Sequence, residues 1–127
     1  EGAAVIILEN EISAKNRNTK IFAEVLSIQI NNTDFDECIL EALKKANLTE
    51  NENLLNIHTD FGTYQKPSKI FKNILNPDEY LGTGQASSPL VNIEAAIKIF
   101  QEKNIKHIVL TAKTMTGTNC CMVLGRY

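Results

Sequence analysis

The sequence predicts an α/β fold: a mixed five-stranded sheet with helices on both faces. Strand-like apolar runs alternate with helix-like segments along the 127 residues, which is typical of a mostly parallel sheet. The chain then closes with two runs, HIVLTAK at 107–113 and NCCMVLGRY at 119–127, joined by a short loop around Gly117. Such a pair predicts a hairpin, which adds one antiparallel strand. The length suffices for one domain with a hydrophobic core.

The first half of the chain contains three predicted strands. AAVIIL at 3–8 is a continuous apolar run, as expected for a strand covered on both faces. The polar segment ENEISAKNRNTK at 9–20 is predicted to be a loop. IFAEVLSIQI at 21–30 is rich in β-branched and aliphatic residues and predicts a strand. NLLNIH at 53–58 predicts a shorter one.

The first helix has the clearest pattern. Its apolar stripe follows the helical spacing i, i+3, i+4, i+7, i+8, i+11 through Phe35, Cys38, Ile39, Ala42, Leu43 and Ala46. Asp34 or Thr33 can cap its start. Asn47 can take the left-handed conformation after its last turn, with Leu48 packing back against the helix.

Two further helices are predicted in the second half. Pro67 suits the first turn of one of them, whose apolar residues are Ile70, Phe71, Ile74 and Leu75. EYLGTG at 79–84 is predicted to be a short strand running into a turn. Ser88 is predicted to cap the next helix, with Pro89 at its first position and a buried stripe of Ile93, Ala96, Ile97 and Phe100.

Composition excludes several classes of function. The net charge is −2 without a basic block, which argues against a nucleic-acid partner. No apolar run reaches the roughly 18 residues needed to cross a bilayer, so no membrane partner is expected. The three cysteines lack zinc-site spacing and favour a reducing cytoplasm, so neither a metal nor a cofactor is expected. The start, EGAAVIILE without Met, suggests a processed, cut or split polypeptide.

A glycine-containing loop opens the third predicted helix in YLGTGQASSPLVNIEAAI, residues 80–97. Loops of this kind often hold phosphate, but this one lacks both G-x-x-x-x-G-K-[ST] and G-x-G-x-x-G, since Ser87 occupies the third glycine position. Nucleotide binding is therefore not the favoured interpretation of the loop.

Four stretches, in order, resemble the β-ketoacyl synthases. EGAAVIILE resembles the family strand G-E-G-A-G-x-x-x-L-E, and ILEALKKANLTENENLLNIH resembles a helix ending A-L-K-x-A-G-L before a strand ending N-A-H-G-T. YLGTGQASSPLVNIEAAI resembles K-S-M-T-G-H-x-x-G-A-A-G-x-x-E-A-I, and TMTGTNCCMVLGRY resembles G-F-G-G-x-N-A-S-L-V-F-x-R-Y. The resemblance implies a thiolase fold. Residues 1–10 would then hold the last strand of a missing N-terminal half, and residues 20–127 the C-terminal thiolase-like domain.

The resemblance also implies a site. In that family a Cys of the N-terminal half attacks an acyl thioester, while two histidines of the C-terminal half help to decarboxylate a malonyl unit and stabilise the resulting negative charge. His58 matches the first histidine, and Gln85 replaces the second. Thr59-Asp60 stands for the following G-T, and Tyr80 for the family's lysine.

The pocket loop differs from the family as well. Thr114, Met115, Thr116 and Gly117 correspond to the G-F-G-G gate, so that one glycine remains and a stiffer loop is expected. None of the three cysteines lies at a matching nucleophile position. By resemblance, the glycine loop before residue 88 would thus place a polar side chain over a thioester.

The departures favour a degenerate partner within fatty-acid, polyketide or polyene synthesis, like the chain-length factors that shape the acyl pocket of a condensing enzyme. One alternative is an active 3-oxoacyl acyl-carrier-protein synthase, an acyltransferase whose nucleophilic Cys lies in the missing half. A second alternative is a non-catalytic, thiolase-fold binding or structural protein. The implied partners are the N-terminal half, an acyl carrier protein, and a ketosynthase in a homo- or heterodimer.

These departures predict that the 127-residue chain alone does not condense acyl and malonyl thioesters, because no candidate nucleophile is placed beside His58. Gln85→His should not restore condensation, since the covalent step still needs a Cys. A radiometric assay with the purified chain checks both statements, with an active ketosynthase as positive control. Measurable condensation by either form would contradict them.

Overall fold

The computed structural model describes residues 3–50, 53–59, 61, 68–82 and 87–127. Within these residues a sheet of five strands is flanked by two longer helices and two short ones. The helices are α1 (Glu11–Asn16), α2 (Phe35–Lys45), α3 (Asp78–Leu81) and α4 (Ser88–Glu102). The strands are β1 (Glu24–Asn31), β2 (Leu55–Thr59), β3 (Asn73–Leu75), β4 (His107–Lys113) and β5 (Asn119–Gly125).

The sheet is mixed, as predicted. Its strand order is β1-β5-β4-β2-β3. β2 runs parallel to both β3 and β4, whereas β5 runs antiparallel to β4 and to β1. The closing hairpin of β4 and β5 is confirmed, and Gly117 in its loop has φ +88°, a conformation that favours glycine.

Helices cover both faces of the sheet, which confirms the predicted layering. α2 packs on one face, with a core made of Cys38, Ile39, Ala42, Leu43, Leu54, Phe71, Val109, Cys121 and Val123. α4 packs on the other face, with a core made of Ile57, Ala96, Phe100, Ile108, Leu110 and Leu124. Consecutive residues of β4 alternate between the two cores, because successive side chains of a strand point to opposite faces.

The predicted ends of α2 are confirmed. The Asp34 side chain accepts a hydrogen bond of 2.8 Å from the backbone N–H of Glu37 and so caps the first turn. After the last turn, Asn47 has φ +56°, in the left-handed region. The backbone N–H of Leu48 donates to the Leu43 carbonyl at 2.9 Å, which closes the helix.

The helix predicted after Pro67 is wrong where the structure describes it; Pro67 itself lies outside the described residues. Residues 73–75 form β3, which pairs in parallel with β2. The Ser68 hydroxyl accepts from the Ile70 backbone N–H at 3.1 Å, and such a side-chain bond favours a turn over a helix. Leu75 pairs with Ile57, so tertiary pairing overrides the helical spacing of the apolar residues.

Three smaller predictions also need correction. The strand predicted at 79–84 is replaced over its described part by α3, which ends before Gly82 at φ +72°. The polar loop at 9–20 contains α1, because the Asn10 side chain accepts from the Ser13 N–H at 2.8 Å and caps a helical turn. Ser88 is not the cap of α4 but its first residue; Ser87 precedes it.

The N-terminal segment does not join this sheet. Residues 3–10 have no strand assignment in the described structure, and Val5, Ile7 and Leu8 are 92%, 82% and 72% exposed. Their assignment to the sheet of another half therefore stays a prediction. No helix in the described ranges is long and apolar enough to cross a bilayer.

The left-handed residue after α2 predicts a specific stability pattern. Asn47→Ala should lower the free energy of unfolding by about 1 kcal/mol, because a Cβ without a local polar partner strains this conformation. Asn47→Gly should cost less than the alanine change. Urea titration followed by circular dichroism measures the differences. Asn32→Ala, at an exposed site without positive φ, serves as the control; an equal loss there would contradict the conformational explanation.

Candidate functional site

His58 lies near the carboxyl end of β2 and is completely buried. Its ring faces the α2 side of the sheet, where Nδ1 lies 2.9 Å from the Thr111 hydroxyl of β4. β2 and β4 are parallel and pair these two residues directly. Carboxyl ends of parallel strands meet at one edge of a sheet, where α/β proteins commonly bind ligands.

A buried amide extends this contact. The Asn56 Nδ2 atom donates to the Val109 carbonyl and to the Thr111 hydroxyl, each at 3.0 Å. Asn56, His58 and Thr111 are each at most 3% exposed, so their polar atoms depend on one another rather than on water. The three side chains form a polar network within an otherwise apolar sheet, which we call the His58 network.

An aromatic ring packs against the His58 imidazole. The Phe35 ring, in the first turn of α2, lies 5.8 Å from the His58 ring centroid with the planes tilted by 55°. The Lys113 ammonium lies 5.9 Å from the Phe35 centroid, within cation–π distance. Phe35 thus lies close to both the buried imidazole and the amine at the end of β4.

A polar contact connects the site edge to α4, and another connects the start of α4 to α3. Asn92 of α4 donates from Nδ2 to the Thr59 hydroxyl, next to His58, and both side chains are buried. The Ser88 hydroxyl donates to Asp78 Oδ1 at 3.0 Å, between α4 and α3. Gln85, the other predicted site residue, lies between α3 and α4 but outside the described residues, as does Asp60. The meeting of His58 and Gln85 in one pocket stays a prediction.

The predicted pocket loop of residues 114–117 is held by its own hydrogen bonds. The Thr114 N–H donates to the Thr118 carbonyl at 2.9 Å, and the Gly117 N–H donates to the Thr114 carbonyl at 3.1 Å. The hydroxyls of Thr114 and Thr116 lie 3.0 Å apart. Met115 projects into solvent, with 81% of its surface exposed. The greater stiffness expected from the loss of glycines stays a prediction.

None of the three thiols has the environment of a nucleophile. Burial raises the pKa of Cys38 to about 11, and burial also raises the pKa of Cys120 and of Cys121. Because the thiolate is the reactive form, all three cysteines are weak nucleophiles near neutral pH. The Cys38 thiol instead donates to the Gln29 carbonyl at 3.4 Å, as a packed core residue.

The described residues at the site edge were considered as metal ligands and as replacements for the family's lysine. Across the described ranges, no group of three or more His, Cys, Asp or Glu residues could hold a metal ion. Tyr80, which stands for the family's lysine, is 80% exposed on α3. Thus no basic side chain replaces that lysine at this position.

Sequence reasoning missed the residues that support His58. Asn56 and Thr111 each interrupt an apolar strand run, and a polar residue at such a position is a usable signal because burial requires a partner. Phe35 was assigned to the α2 core stripe alone, and nothing in its spacing indicates contact with His58. Asn92, within the apolar α4, carries the same kind of signal as Asn56.

No protein-family model matches the sequence, and no curated protein matches it at a significant level. Solved structures do match in fold. One is AntDE:AntF, described as a type II PKS acyl-carrier protein in complex with its ketosynthase bound to the hexaketide. It matches with a TM-score of 0.75 and 14% identity, and the match covers 94% of this chain and 42% of that chain. The ishigamide ketosynthase/chain length factor matches with a TM-score of 0.74 and 16% identity, over 92% of this chain and 41% of that chain. A β-ketoacyl synthase from Burkholderia phymatum STM815 matches with a TM-score of 0.69 and 12% identity, over 94% of this chain and 41% of that chain.

These comparisons confirm a ketosynthase-like, thiolase-type α/β fold. The present chain spans about two fifths of the length of the chains that it matches. At such low identities the likeness concerns the fold, and the chemistry has to be argued from the residues themselves.

The shifted thiol pKa predicts slow alkylation. In the folded chain at pH 7.5, Cys38 should react with iodoacetamide about 100-fold more slowly than in urea, since its pKa rises from 9.0 to about 11. Peptide mapping by mass spectrometry measures each cysteine separately. Fast labelling of Cys38 in the folded chain would contradict the assignment.

The same shift has a consequence for stability. The pKa of Cys38 is higher in the folded chain than in the unfolded chain, so its contribution is fully present below pH 9.0 and is lost as the pH rises towards about 11. The free energy of unfolding should fall over that window. Cys38→Ala should reduce the fall without abolishing it, because the pKa values of Cys120 and Cys121 are raised as well.

Proposed function

We propose that this chain is a ketosynthase-like half of a condensing assembly in fatty-acid, polyketide or polyene synthesis, and that it acts as a degenerate partner that shapes the acyl pocket. The observation that carries the proposal is the His58 network: a buried imidazole, oriented by neighbouring strands, at the carboxyl edge of the sheet. The thiols of Cys38, Cys120 and Cys121 all have raised pKa values. Among the described residues, the site thus retains a group that can bind an acyl carbonyl, and no thiol in that part of the chain is activated as an attacking group.

The chemistry available to this arrangement is hydrogen-bond donation. A neutral imidazole can donate to an oxygen that gains negative charge, and a dry pocket strengthens that donation. His58 supplies such a donor away from water. Gln85, in the position of the second histidine, can donate through its amide but cannot exchange a proton near neutral pH. The pair suits orientation of an acyl thioester better than the proton transfers of a complete condensation.

An uncovered apolar surface supports the proposed partnership with another half of the fold. On β1, Val25, Ile28 and Ile30 are 38%, 45% and 61% exposed, and they lie on the α4 face of the sheet beside Leu124 and Met122 of β5. We call these three residues the β1 patch. A contiguous exposed apolar surface of this kind commonly marks an interface, and the apolar segment at 3–8 adds further uncovered side chains.

α4 itself supports the same partnership. Its sequence, SPLVNIEAAIKIFQE, is apolar on most sides, whereas a surface helix usually has a broad polar face. Glu94 and Lys98 form an exposed pair one turn apart and mark its narrow polar strip. The N-terminal half of the fold, on the same or a separate chain, is the proposed cover for α4, the β1 patch and residues 3–8.

The further partners are an acyl carrier protein and a ketosynthase, in a homo- or heterodimer. Two matched structures motivate this: one contains an acyl-carrier protein with its ketosynthase, and another a ketosynthase with a chain length factor. In this proposal the assembly would be cytoplasmic, since the three cysteines of this chain are free thiols.

Two alternatives make different predictions. An active condensing enzyme would take its nucleophilic Cys from the other half, and the retained His58 favours it. A structural or binding protein of the same fold would need neither His58 nor an acyl carrier. Activity of the complete assembly separates all three cases.

The decisive variant is His58→Ala in the full-length protein with its ketosynthase and acyl carrier protein. If the chain is a degenerate partner, the condensation rate should fall less than tenfold while the distribution of product lengths changes, because the pocket wall changes but the nucleophile stays. If it is an active enzyme, loss of the donor should cost about 100-fold or more. Mass spectrometry of the products measures both quantities, and no change in either would favour the structural alternative.

The β1 patch gives a separate test of partnership. Ile28→Glu with Ile30→Glu should weaken association with the other half at least tenfold, because the charges would be buried at the interface. Leu40→Glu is the matched control, since Leu40 is comparably exposed, at 42%, on α2 at the opposite face of the sheet. Sedimentation velocity measures the association. Equal effects of the two changes would contradict the assignment of the patch.

A further inference from the structure

The Thr111 hydroxyl is the meeting point of the His58 network. It lies 2.9 Å from His58 Nδ1, 3.0 Å from Asn56 Nδ2 and 3.3 Å from Asn56 Oδ1. A hydroxyl has one hydrogen to donate and two lone pairs to accept with. The direction of that single hydrogen decides which nitrogen of His58 carries a proton.

The orientation of the Asn56 amide is fixed by the backbone. Its Nδ2 atom lies 3.0 Å from the Val109 carbonyl, which can only accept, so the amine and not the carbonyl oxygen of Asn56 faces that group. The second hydrogen of the amine is then directed to the Thr111 oxygen at 3.0 Å. Thr111 is therefore an acceptor towards Asn56 Nδ2.

The hydroxyl hydrogen has two acceptors to choose from. Asn56 Oδ1 lies at 3.3 Å, beyond the range of about 2.5–3.0 Å typical of O–H···O bonds. His58 Nδ1 lies at 2.9 Å and directly across from Thr111 in the parallel β2–β4 pair. We assign the hydroxyl hydrogen to the shorter contact, with His58 Nδ1, because the hydrogen bond to Asn56 Oδ1 would be long and therefore weak.

We infer that Thr111 is a positioning residue that donates its hydroxyl hydrogen to Nδ1 of His58 and so fixes the neutral imidazole in the tautomer with its proton on Nε2. This inference deepens the proposed function and rests on it for its chemical meaning. The proton on Nε2 is the donor that a neutral imidazole directs towards an acyl oxygen once Nδ1 is occupied. Thr111 itself stays behind the ring, within the sheet.

The surroundings keep the ring in this orientation. Phe35 lies against the imidazole at a centroid distance of 5.8 Å, and both His58 and Thr111 are buried in the sheet. Rotation of the ring about its axis would place a carbon against the Thr111 hydroxyl and leave a buried polar group without a partner, at a cost of about 1–3 kcal/mol. Thr111 therefore specifies both the tautomer and the ring orientation.

Histidine-selective ¹⁵N NMR tests the inference directly. Long-range ¹H–¹⁵N spectra are recorded near pH 8 on the full chain, together with its other half where association has been found. His107→Gln assigns the two histidines. The wild type should show Nδ1 of His58 as an unprotonated nitrogen that accepts a hydrogen bond, and Nε2 as the protonated one. A protonated Nδ1 would overturn the inference.

Three variants isolate the hydroxyl. Thr111→Val keeps the shape but removes the donor, so the Nδ1 resonance of His58 should move downfield; an unchanged resonance would overturn the inference. Thr111→Ser should restore the wild-type position. Thr33→Val, an exposed site outside the network, should change nothing. If the valine variant does not fold, the wild-type and serine spectra still decide, because a protonated Nδ1 in either contradicts the assignment.

These spectra do not depend on condensation. If Nδ1 of His58 proves to be protonated while His58→Ala still changes the product distribution, this inference is overturned and the proposed function stands. A confirmed tautomer with no effect of His58→Ala on the assembly would overturn the proposed function and leave the assignment of Thr111 as a structural one.

Discussion

The parallel pairing of β2 with β4 is the constraint on which the site depends. The pairs Leu55 with Ile108 and Ile57 with Leu110 place apolar side chains on the α4 face. The same register places His58 opposite Thr111 on the α2 face. A slip of one residue would exchange the two faces of a strand and bury its polar side chains in the α4 core, so hydrophobic packing selects the register that assembles the network.

Burial makes this network costly unless it is complete. Moving an amide, an imidazole and a hydroxyl out of water is unfavourable unless each finds a partner. Asn56 and Thr111 supply partners to each other, and Thr111 supplies one to His58. The strand register and the hydrogen bonds of these three side chains therefore favour the same arrangement. His58, the candidate functional group, is thus also part of the folded core. The cysteines in the same α2-side core have no such network and behave as small apolar residues.

The apolar surfaces outside the two cores have a common character. The β1 patch and the segment at 3–8 expose apolar side chains, and the sequence of α4 is apolar on most of its sides. The chains with the same fold are more than twice as long as the matched region. In the proposed assembly these surfaces bind the other half of the fold. The His58 network then lies at one edge of the sheet, and the proposed interface lies on its α4 face.

The sequence by itself determined the elements whose signals are local. The α2 stripe with its Asp34 cap, the left-handed Asn47 and the β4–β5 hairpin follow from spacing and backbone preference within a few residues. His58 is singled out by the resemblance of its strand to a family motif; the structure shows that it is buried, and its role in a site stays a prediction. Tertiary structure alone decided the rest. Ile74 and Leu75 entered a strand because β2 offered an edge to pair with, and Thr111 reached His58 because two strands more than fifty residues apart became neighbours. Contacts of that range depend on the packing of the whole sheet, which no local pattern records.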